Sequence, residues 1–298
     1  MMKTYIQRPG EIGDFSELPW WQKAGTTDLV SVGFGLVIVV LVLVSYLLGS
    51  LHLLPYDPQQ IDVEMLNAPP GSAGHLLGTD FLGRDILARL IVGIQAYFVP
   101  GLLAIALSLT FGTALGVLAG YLEGTADRLV SYFNNLLDSF PRLVLILLVI
   151  AAFKPDIYYI MVVVGITGIP PVAARIAGKI RFLRDKNFIE AAHALGLPDR
   201  SIILKHLLWY NCRALLVIYA TLGMGEAILM ETSLSYLGFG VQEPVPSWGN
   251  MVQAGANYFM QGKFWSSTAP ALAILFTILG FHLLGDGLNN ILEGKRGR

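Results

Sequence analysis

Six long apolar segments divide the chain, and each is long enough to cross a bilayer as a helix. A membrane-spanning helix needs about 20 mostly apolar residues, and backbone polar groups in lipid must be satisfied within the segment. The pattern predicts spans at about 28–52, 97–120, 129–152, 157–178, 211–237 and 268–291. We therefore expect an all-α polytopic membrane protein with six transmembrane helices.

The composition supports this class. Hydrophobic residues make up 54% of the 298 residues and charged residues only 14%, with a mean hydropathy of +0.61, whereas soluble domains carry about 25% charged residues. A net charge of −1 argues against nucleic acid as a partner, because phosphate binding needs a basic face. The single cysteine, Cys212, permits no intrachain disulfide and is expected to pack near a helix end.

The distribution of Lys and Arg predicts the orientation. If the N-terminus lies inside, the inner segments hold 15 of these residues and the outer segments hold 4, as the positive-inside rule requires. Both termini are then cytoplasmic. Residues 1–27 are too acidic for a cleaved signal peptide and form a cytoplasmic leader before a first helix over 28–54. Residues 292–298 form a cytoplasmic tail.

Two outer loops contain further structure. Residues 55–96 begin with an irregular part rich in Pro and Gly and end in an amphipathic helix. Thr79 or Asp80 can cap this helix, which should lie at the outer surface before the second span. The outer loop 238–267 is too long for a turn and is expected to fold as a cap over the outer mouth.

Three features lie within the spans. Gly112, Gly116 and Gly120 are four residues apart and form a ridge on which another helix can pack closely. The fourth span contains adjacent prolines at 170 and 171, which predict a kink and leave open whether it is a hinge. Asp138 and Arg142 are four residues apart and are expected to pair on one helix face.

The loop over 184–209 is the longest predicted inner segment. Residues 186–195 favour helix, Gly196 suits a left-handed helix end, and Pro198 fits the first turn of a second helix. Ala191, Ala192 and Ala194 leave a smooth face that could dock in a groove on another protein. The residues alone leave open whether this loop binds a partner or simply covers the bundle.

Motifs that occur in order along residues 75–290 favour the first alternative, a loop that binds a partner. The stretch Glu190-Ala191-Ala192 followed by Gly196 resembles the "EAA loop" of ABC importer permeases. The resemblance extends to the "C-type" permeases of the dipeptide, oligopeptide and nickel importers. The motifs that carry it are Gly78-Thr79-Asp80 with Gly83-Arg84-Asp85, Ala220 to Gly223, Leu234 to Gly240, Pro246 to Gly249, and Leu283 to Leu288.

The resemblance implies a type I ABC importer fold with a transmembrane core over 97–291, and it implies partners. These are a homologous B-type permease, two cytoplasmic ATPases that grip the loops, and an extracytoplasmic substrate-binding protein. Membrane lipid surrounds the assembly. By the same resemblance, the ATPase-coupling positions are Glu190, Ala191, Ala192, Gly196, Leu197 and Asp199, and the outer motif is Asp80, Arg84 and Asp85.

The fifth span holds the candidates for the substrate pathway. Glu226, Met230 and Glu231 lie there, and ionisable groups in membrane helices usually serve function. Glu231 matches a glutamate common in the family, which favours a structural hydrogen bond, whereas Glu226 stands where small residues are usual. We expect Glu226 to line the pathway and to favour a positive group, or else to pair with a neighbouring subunit. Trp209 replaces the family's usual proline.

The sequence contains no constellation for catalysis. The five histidines lack metal-ligand spacing, and no Gly-x-Ser-x-Gly elbow or Walker A motif is present. The chain is therefore expected to bind no metal or cofactor itself, and the resemblance implies that ATP and Mg²⁺ bind the partner ATPases. The resemblance implies a di- or oligopeptide as substrate, with a nickel complex or an oligosaccharide as the alternative. An ion-coupled secondary transporter is the rival class, although the inverted repeats that would support it are not apparent.

Overall fold

The computed structural model describes residues 25–122, 124–153 and 156–293. Within these ranges the chain is mainly helical, with two isolated β-bridges and no strand. Five helices are long and apolar enough to cross a membrane, and one bent pair of helices can form a sixth span. The predicted all-α membrane fold is confirmed. Most of the predicted leader (1–24) and most of the tail (294–298) lie outside the described residues.

The first and last spans pack against each other. Helix α1 covers Thr26–Ser50 and helix α12, the last, covers Trp265–Glu293, close to the two predicted spans. The helices meet at Gly35, where an added Cβ would lie 2.6 Å from the carbonyl oxygen of Gly280. Near the other end Asn290 donates a hydrogen bond to the buried Asp28 carboxylate at 2.9 Å.

The outer segment before the second span differs from its prediction. Helix α2 covers Ile86–Gly93, a 3₁₀ turn covers Ile94–Ala96, and helix α3 covers Phe98–Leu122. The N-cap of α2 is Asp85, whose side chain accepts from the Ala88 N–H at 2.6 Å.

Neither Thr79 nor Asp80 caps this helix, so that prediction is wrong. Asp80 instead closes the preceding turn, accepting from the Leu82 and Arg84 N–H groups at 2.9 and 3.0 Å. Thr79 donates to the Met65 carbonyl. The predicted helix is present as α2, and its Ile86, Ala88 and Arg89 side chains are buried against neighbouring segments of the chain.

The glycine ridge packs the second span onto the fourth. Helix α6 covers Ile157–Thr167 and helix α7 covers Ile169–Arg184. A Cβ added at Gly112 or at Gly116 would lie 2.7 Å from the Cβ of Val172 or of Ile176 respectively. The predicted ridge is confirmed, since only glycine permits this approach. The two prolines occupy the first turn of α7, after a break at Gly168.

The third predicted span is two helices rather than one. Helix α4 covers Thr125–Asp138, helix α5 covers Arg142–Ala152, and their axes differ by 74°. Pro141 is the N-cap of α5, and a proline cannot continue a helix from the preceding turn. The prediction of one helix over 129–152 was wrong, and so was the pairing of Asp138 with Arg142, because the break separates their faces.

The predicted inner loop leads directly into the fifth span. Helix α8 covers Asn187–Ala194 and a single turn, α9, covers Asp199–Ser201. A π-helix over Ile202–Cys212 then continues into α10, Arg213–Tyr236. The helix that contains the fifth predicted span therefore starts near Asp199 and not at 211, and the second short helix of the loop is not a separate element.

The predicted outer cap is folded. Helix α11 covers Trp248–Phe259, with Ser247 as N-cap in a reciprocal capping box with Asn250. Trp248 is buried, donates from Nε1 to the Leu90 carbonyl at 2.9 Å, and packs on the ring of Tyr97. The cap is thereby attached to α2 and to the start of α3.

Candidate functional site

Helix α8 ends in a hydrogen-bonded Schellman motif. The Gly196 N–H donates to the His193 carbonyl at 2.9 Å, and the Leu197 N–H donates to the Ala192 carbonyl at 3.1 Å. Gly196 has φ +74°, a conformation that costs side-chain-bearing residues energy. The predicted left-handed end is confirmed, and it turns the chain sharply before Pro198.

Helix α8 is fixed to the bundle by one face and exposes the other. Ile189 and Ala192 are buried in an apolar cluster with residues of α7 and of the π-helix, including Ile176, Ile202 and Leu207. The predicted smooth face is therefore smaller than expected, because Ala192 packs inward and only Ala191 and Ala194 remain on the exposed side.

The exposed side of this loop carries five of the six predicted coupling positions. Leu195 is 82% exposed. The five exposed coupling positions are Glu190, Ala191, Gly196, Leu197 and Asp199. They form a surface, which we call the α8 surface: Glu190, Ala191, Leu195, Gly196, Leu197 and Asp199.

Two contacts tie the α8 surface to the spans. The Tyr121 hydroxyl at the end of α3 donates to the Asp199 carboxylate at 2.8 Å. The π-helix carries the chain from α9 into α10 without a break, and the Asn211 amide donates to the His206 carbonyl at 2.6 Å inside it. Trp209, which stands at the position of the family's proline, is 65% exposed within this π-helix.

A second cluster lies among the spans. The Arg142 guanidinium, at the first position of α5, donates to Glu226 Oε2 in α10 at 2.8 Å. Its other terminal nitrogen lies 3.4 Å from the Thr167 carbonyl at the end of α6. Glu226 therefore has an intrachain partner that the sequence did not suggest, because 84 residues separate the two.

The other two pathway candidates are more buried than Glu226. Glu231 is fully buried and accepts from the Ser235 hydroxyl at 2.6 Å, which agrees with the structural role favoured for it. Met230 packs against an apolar cluster that includes Ile146 and Ile160. Of the three, only Glu226 is exposed, with 55% of its side chain accessible.

The outer motif forms a buried network of charges. Arg84 binds Asp80 and Glu243, each at 2.7 Å, and Arg89 binds Glu243 at 3.0 Å. Both guanidinium groups are nearly fully buried. Asp85 lies 2.8 Å from His75 Nδ1 besides capping α2.

Sequence reasoning found Asp80, Arg84 and Asp85 in this network but missed Arg89, Glu243 and His75. The pairing of Arg89 with Glu243 could not be predicted from sequence spacing, because more than 150 residues separate them. The network joins the outer loop to the cap. Over the described residues no group of three or more His, Cys, Asp or Glu side chains could hold a metal ion, and Cys212 is buried and free.

Residues 112–298 match the family described as "Binding-protein-dependent transport system inner membrane component". This match covers more than half of the chain. The chain belongs to that family. As a permease of this family with five to six candidate spans, it is a multi-pass protein of the inner membrane.

The permease is similar to three curated proteins over most of their length. It is 35% identical over 297 residues to the probable D,D-dipeptide transport system permease protein DdpC of Escherichia coli, covering 99% of this chain and 97% of that protein. It is 34% identical to the glutathione transport system permease protein GsiD of Pectobacterium atrosepticum (89% and 87% covered). It is 36% identical to the oligopeptide transport system permease protein OppC of Haemophilus influenzae (81% and 77% covered).

Proposed function

We propose that this permease forms half of the membrane pathway of an ATP-driven peptide importer and couples to cytoplasmic ATPases through the α8 surface. The observation that carries the proposal is Leu195, an apolar side chain 82% exposed at the turn of a firmly anchored helix. Leu195 and Leu197, which is 36% exposed, form a small contiguous apolar patch, and such patches rimmed by polar residues mark interaction sites. A groove on a partner ATPase would cover Leu195.

The anchoring of α8 supports a mechanical role for this surface. Ile189 and Ala192 are packed into the same apolar cluster as Leu207 and Cys212 of the π-helix. A force applied at Glu190 or Leu195 would therefore reach α10 through packed side chains as well as through the backbone. Alternating access would follow if closure of the ATPases moved the two permeases together.

The assembly that we propose has five parts besides lipid. This chain pairs with a homologous B-type permease, two ATPase subunits bind the two loops, and an extracytoplasmic binding protein delivers the solute. Both termini lie in the cytoplasm, as the excess of Lys and Arg in the inner segments indicates. ATP and Mg²⁺ bind the ATPases, and this chain is a non-catalytic subunit.

Peptides are the proposed substrate class. The support is that three similar permeases are named for D,D-dipeptide, oligopeptide and glutathione transport, and all three solutes are peptides or close relatives of peptides. Nickel complexes and oligosaccharides are the alternative solutes for the same machine. They would be distinguished by ligand screening of the cognate binding protein.

The test is copurification followed by ATPase assays in proteoliposomes. We expect the tagged chain to bring down the partner permease and an ATPase whose activity rises with peptide-loaded binding protein. Leu195→Ser and Glu190→Lys should weaken capture of the ATPase and lower the stimulated activity. Leu76→Ser is the matched control, because Leu76 is 70% exposed in the loop 55–85 and should change neither readout. Uptake driven by a proton gradient with this chain alone would contradict the proposal and support a secondary transporter.

A further inference from the structure

The ion pair of Arg142 and Glu226 lies where the break between α4 and α5, the break between α6 and α7, and the middle of α10 come together. Arg142 follows the 74° break between α4 and α5. It also reaches the Thr167 carbonyl beside the break between α6 and α7. Glu226 lies near the middle of α10. Two helix breaks and an ion pair therefore meet at one site in the bundle.

This site opens onto the surface of the chain. Glu226 is 55% and Arg142 is 23% exposed, and Leu229 and Ser233 continue the exposed stripe along α10. The break itself, Ser139 to Pro141, is also exposed. Irregular backbone at membrane depth is tolerated only where protein buries it or a water-filled cavity lies beside it, and charged groups follow the same rule. The stripe consequently faces water or a polar partner and not hydrocarbon.

We propose that Arg142 and Glu226 form the charge-selecting point of the substrate pathway and, as a neutral pair, favour zwitterionic solutes over solutes with net charge. This inference rests on the proposed peptide-import function and adds a specificity site to it. Glu226 alone would favour cations, but Arg142 cancels its charge at 2.8 Å.

The chemistry of the two groups suits a zwitterion. A guanidinium has five N–H donors and a carboxylate has about four lone-pair sites, so a single bond between Arg142 and Glu226 saturates neither. A passing peptide can present its ammonium group to Glu226 and its carboxylate to Arg142. The two charges of the pair then exchange partners, and neither is left without a counter-charge during the exchange.

Single neutralising substitutions should shift charge preference in opposite directions. Glu226→Gln leaves the charge of Arg142 unbalanced, so uptake of anionic peptides should rise relative to uptake of cationic ones. Arg142→Gln leaves Glu226 unbalanced, so cationic peptides should gain. A unit charge at contact distance in a partly hydrated site should shift the ratio of cationic to anionic peptide uptake by roughly tenfold. A pair that only held the helices together would instead lower transport of all peptides equally.

The experiment measures the uptake ratio of Ala-Lys-Ala to Ala-Glu-Ala, with Ala-Ala-Ala as the neutral reference, by the whole importer in proteoliposomes with saturating binding protein. Because both peptides are measured on the same preparation, the ratio does not depend on how much of a variant assembles. The exchange variant Arg142→Glu with Glu226→Arg keeps a neutral pair and should return the ratio to the wild-type value. Arg175→Gln, at an exposed arginine of α7, is the control.

Two outcomes separate this inference from the function it rests on. If the wild-type importer takes up the peptides and the two single variants shift the ratio in the same direction or not at all, the charge-selecting role is wrong while peptide import stands. If the wild-type importer takes up none of the three peptides although the ATPase responds to binding protein, the peptide function is wrong and the inference falls with it.

Discussion

The hydroxyl of Tyr121 and the carboxylate of Asp199 are joined by a hydrogen bond of 2.8 Å between the end of α3 and the start of α9. The two residues are separated by 78 positions. Through the glycine ridge, α3 is also the helix that packs closely on α7. The bond therefore links Asp199, at the end of the α8 surface, to a closely packed helix pair of the permease.

Removing this bond should weaken coupling more than it weakens folding. Tyr121→Phe deletes one exposed hydrogen bond, which contributes about 1 kcal/mol or less to stability. We expect an unchanged thermal midpoint within a few degrees but less ATPase stimulation by loaded binding protein, because the start of α9 is no longer held. Tyr132→Phe, at an exposed tyrosine of α4, is the matched control. Equal stimulation in both variants would count against a coupling role for the bond.

The turn at Gly196 has space for a larger residue, but its backbone angle is unfavourable for any residue that has a Cβ. An added Cβ would meet no atom within 4 Å, yet φ is +74°, which costs an L-residue about 1–2 kcal/mol. Gly196→Leu should therefore abolish uptake while leaving membrane insertion intact, and Gly196→Ala should be nearly as damaging. Gly196→Asn should retain most activity, since asparagine adopts this conformation more readily.

Gly262 provides the control for the Gly196 series, measured by the same peptide uptake assay. It has φ +80° and equally open surroundings, but it lies in the cap after α11. Gly262→Ala carries the same backbone strain and should leave uptake close to wild type. Loss of uptake in Gly262→Ala, or normal uptake in Gly196→Leu, would contradict the prediction that backbone strain at the turn after α8 specifically impairs uptake.

The buried arginine of the outer network should be important for stability. Arg89→Met removes a guanidinium that is 1% exposed and leaves Glu243 and Asp80 without one of their cations. Breaking a fully buried ion pair from one side typically costs about 3–5 kcal/mol, and the cost here should be smaller because Arg84 still binds both carboxylates and Glu243 is 40% exposed. We expect earlier thermal unfolding and faster proteolysis of the loop 55–85 in detergent. Arg175→Met, at an exposed arginine, should show neither effect.

The glycine ridge allows a test of packing between matched positions. At Gly116 an added Cβ would lie 2.7 Å from Ile176 Cβ and 2.8 Å from the Ala173 carbonyl, so Gly116→Ala should cost about 1–3 kcal/mol through overpacking. Gly178, in the facing helix α7, has no atom within 4 Å of that point. Gly178→Ala should be neutral or slightly stabilising, and thermal unfolding of the two variants compares them directly.

Local features of this permease could be predicted from its residues with little help from the fold. The long apolar runs predicted helices because lipid offers no partner for unpaired backbone groups, and the first and last spans were placed within a few residues. Gly196 and the glycine ridge were also identified correctly. Gly196 was predicted because glycine after a helical stretch favours a left-handed end, and the ridge because its glycines are four residues apart. Each signal lies within a short stretch of sequence.

The partners of the charged residues depended on the three-dimensional packing. Asp138 was expected to pair with Arg142 because helical spacing puts residues four apart on one face, but Pro141 breaks that helix and turns Arg142 toward Glu226. Likewise Arg89 meets Glu243 only because the outer loop and the cap fold against each other. Periodicity reports which residues share a helix face, whereas a charge takes its counter-ion from whatever segment packs beside it, however distant in the chain.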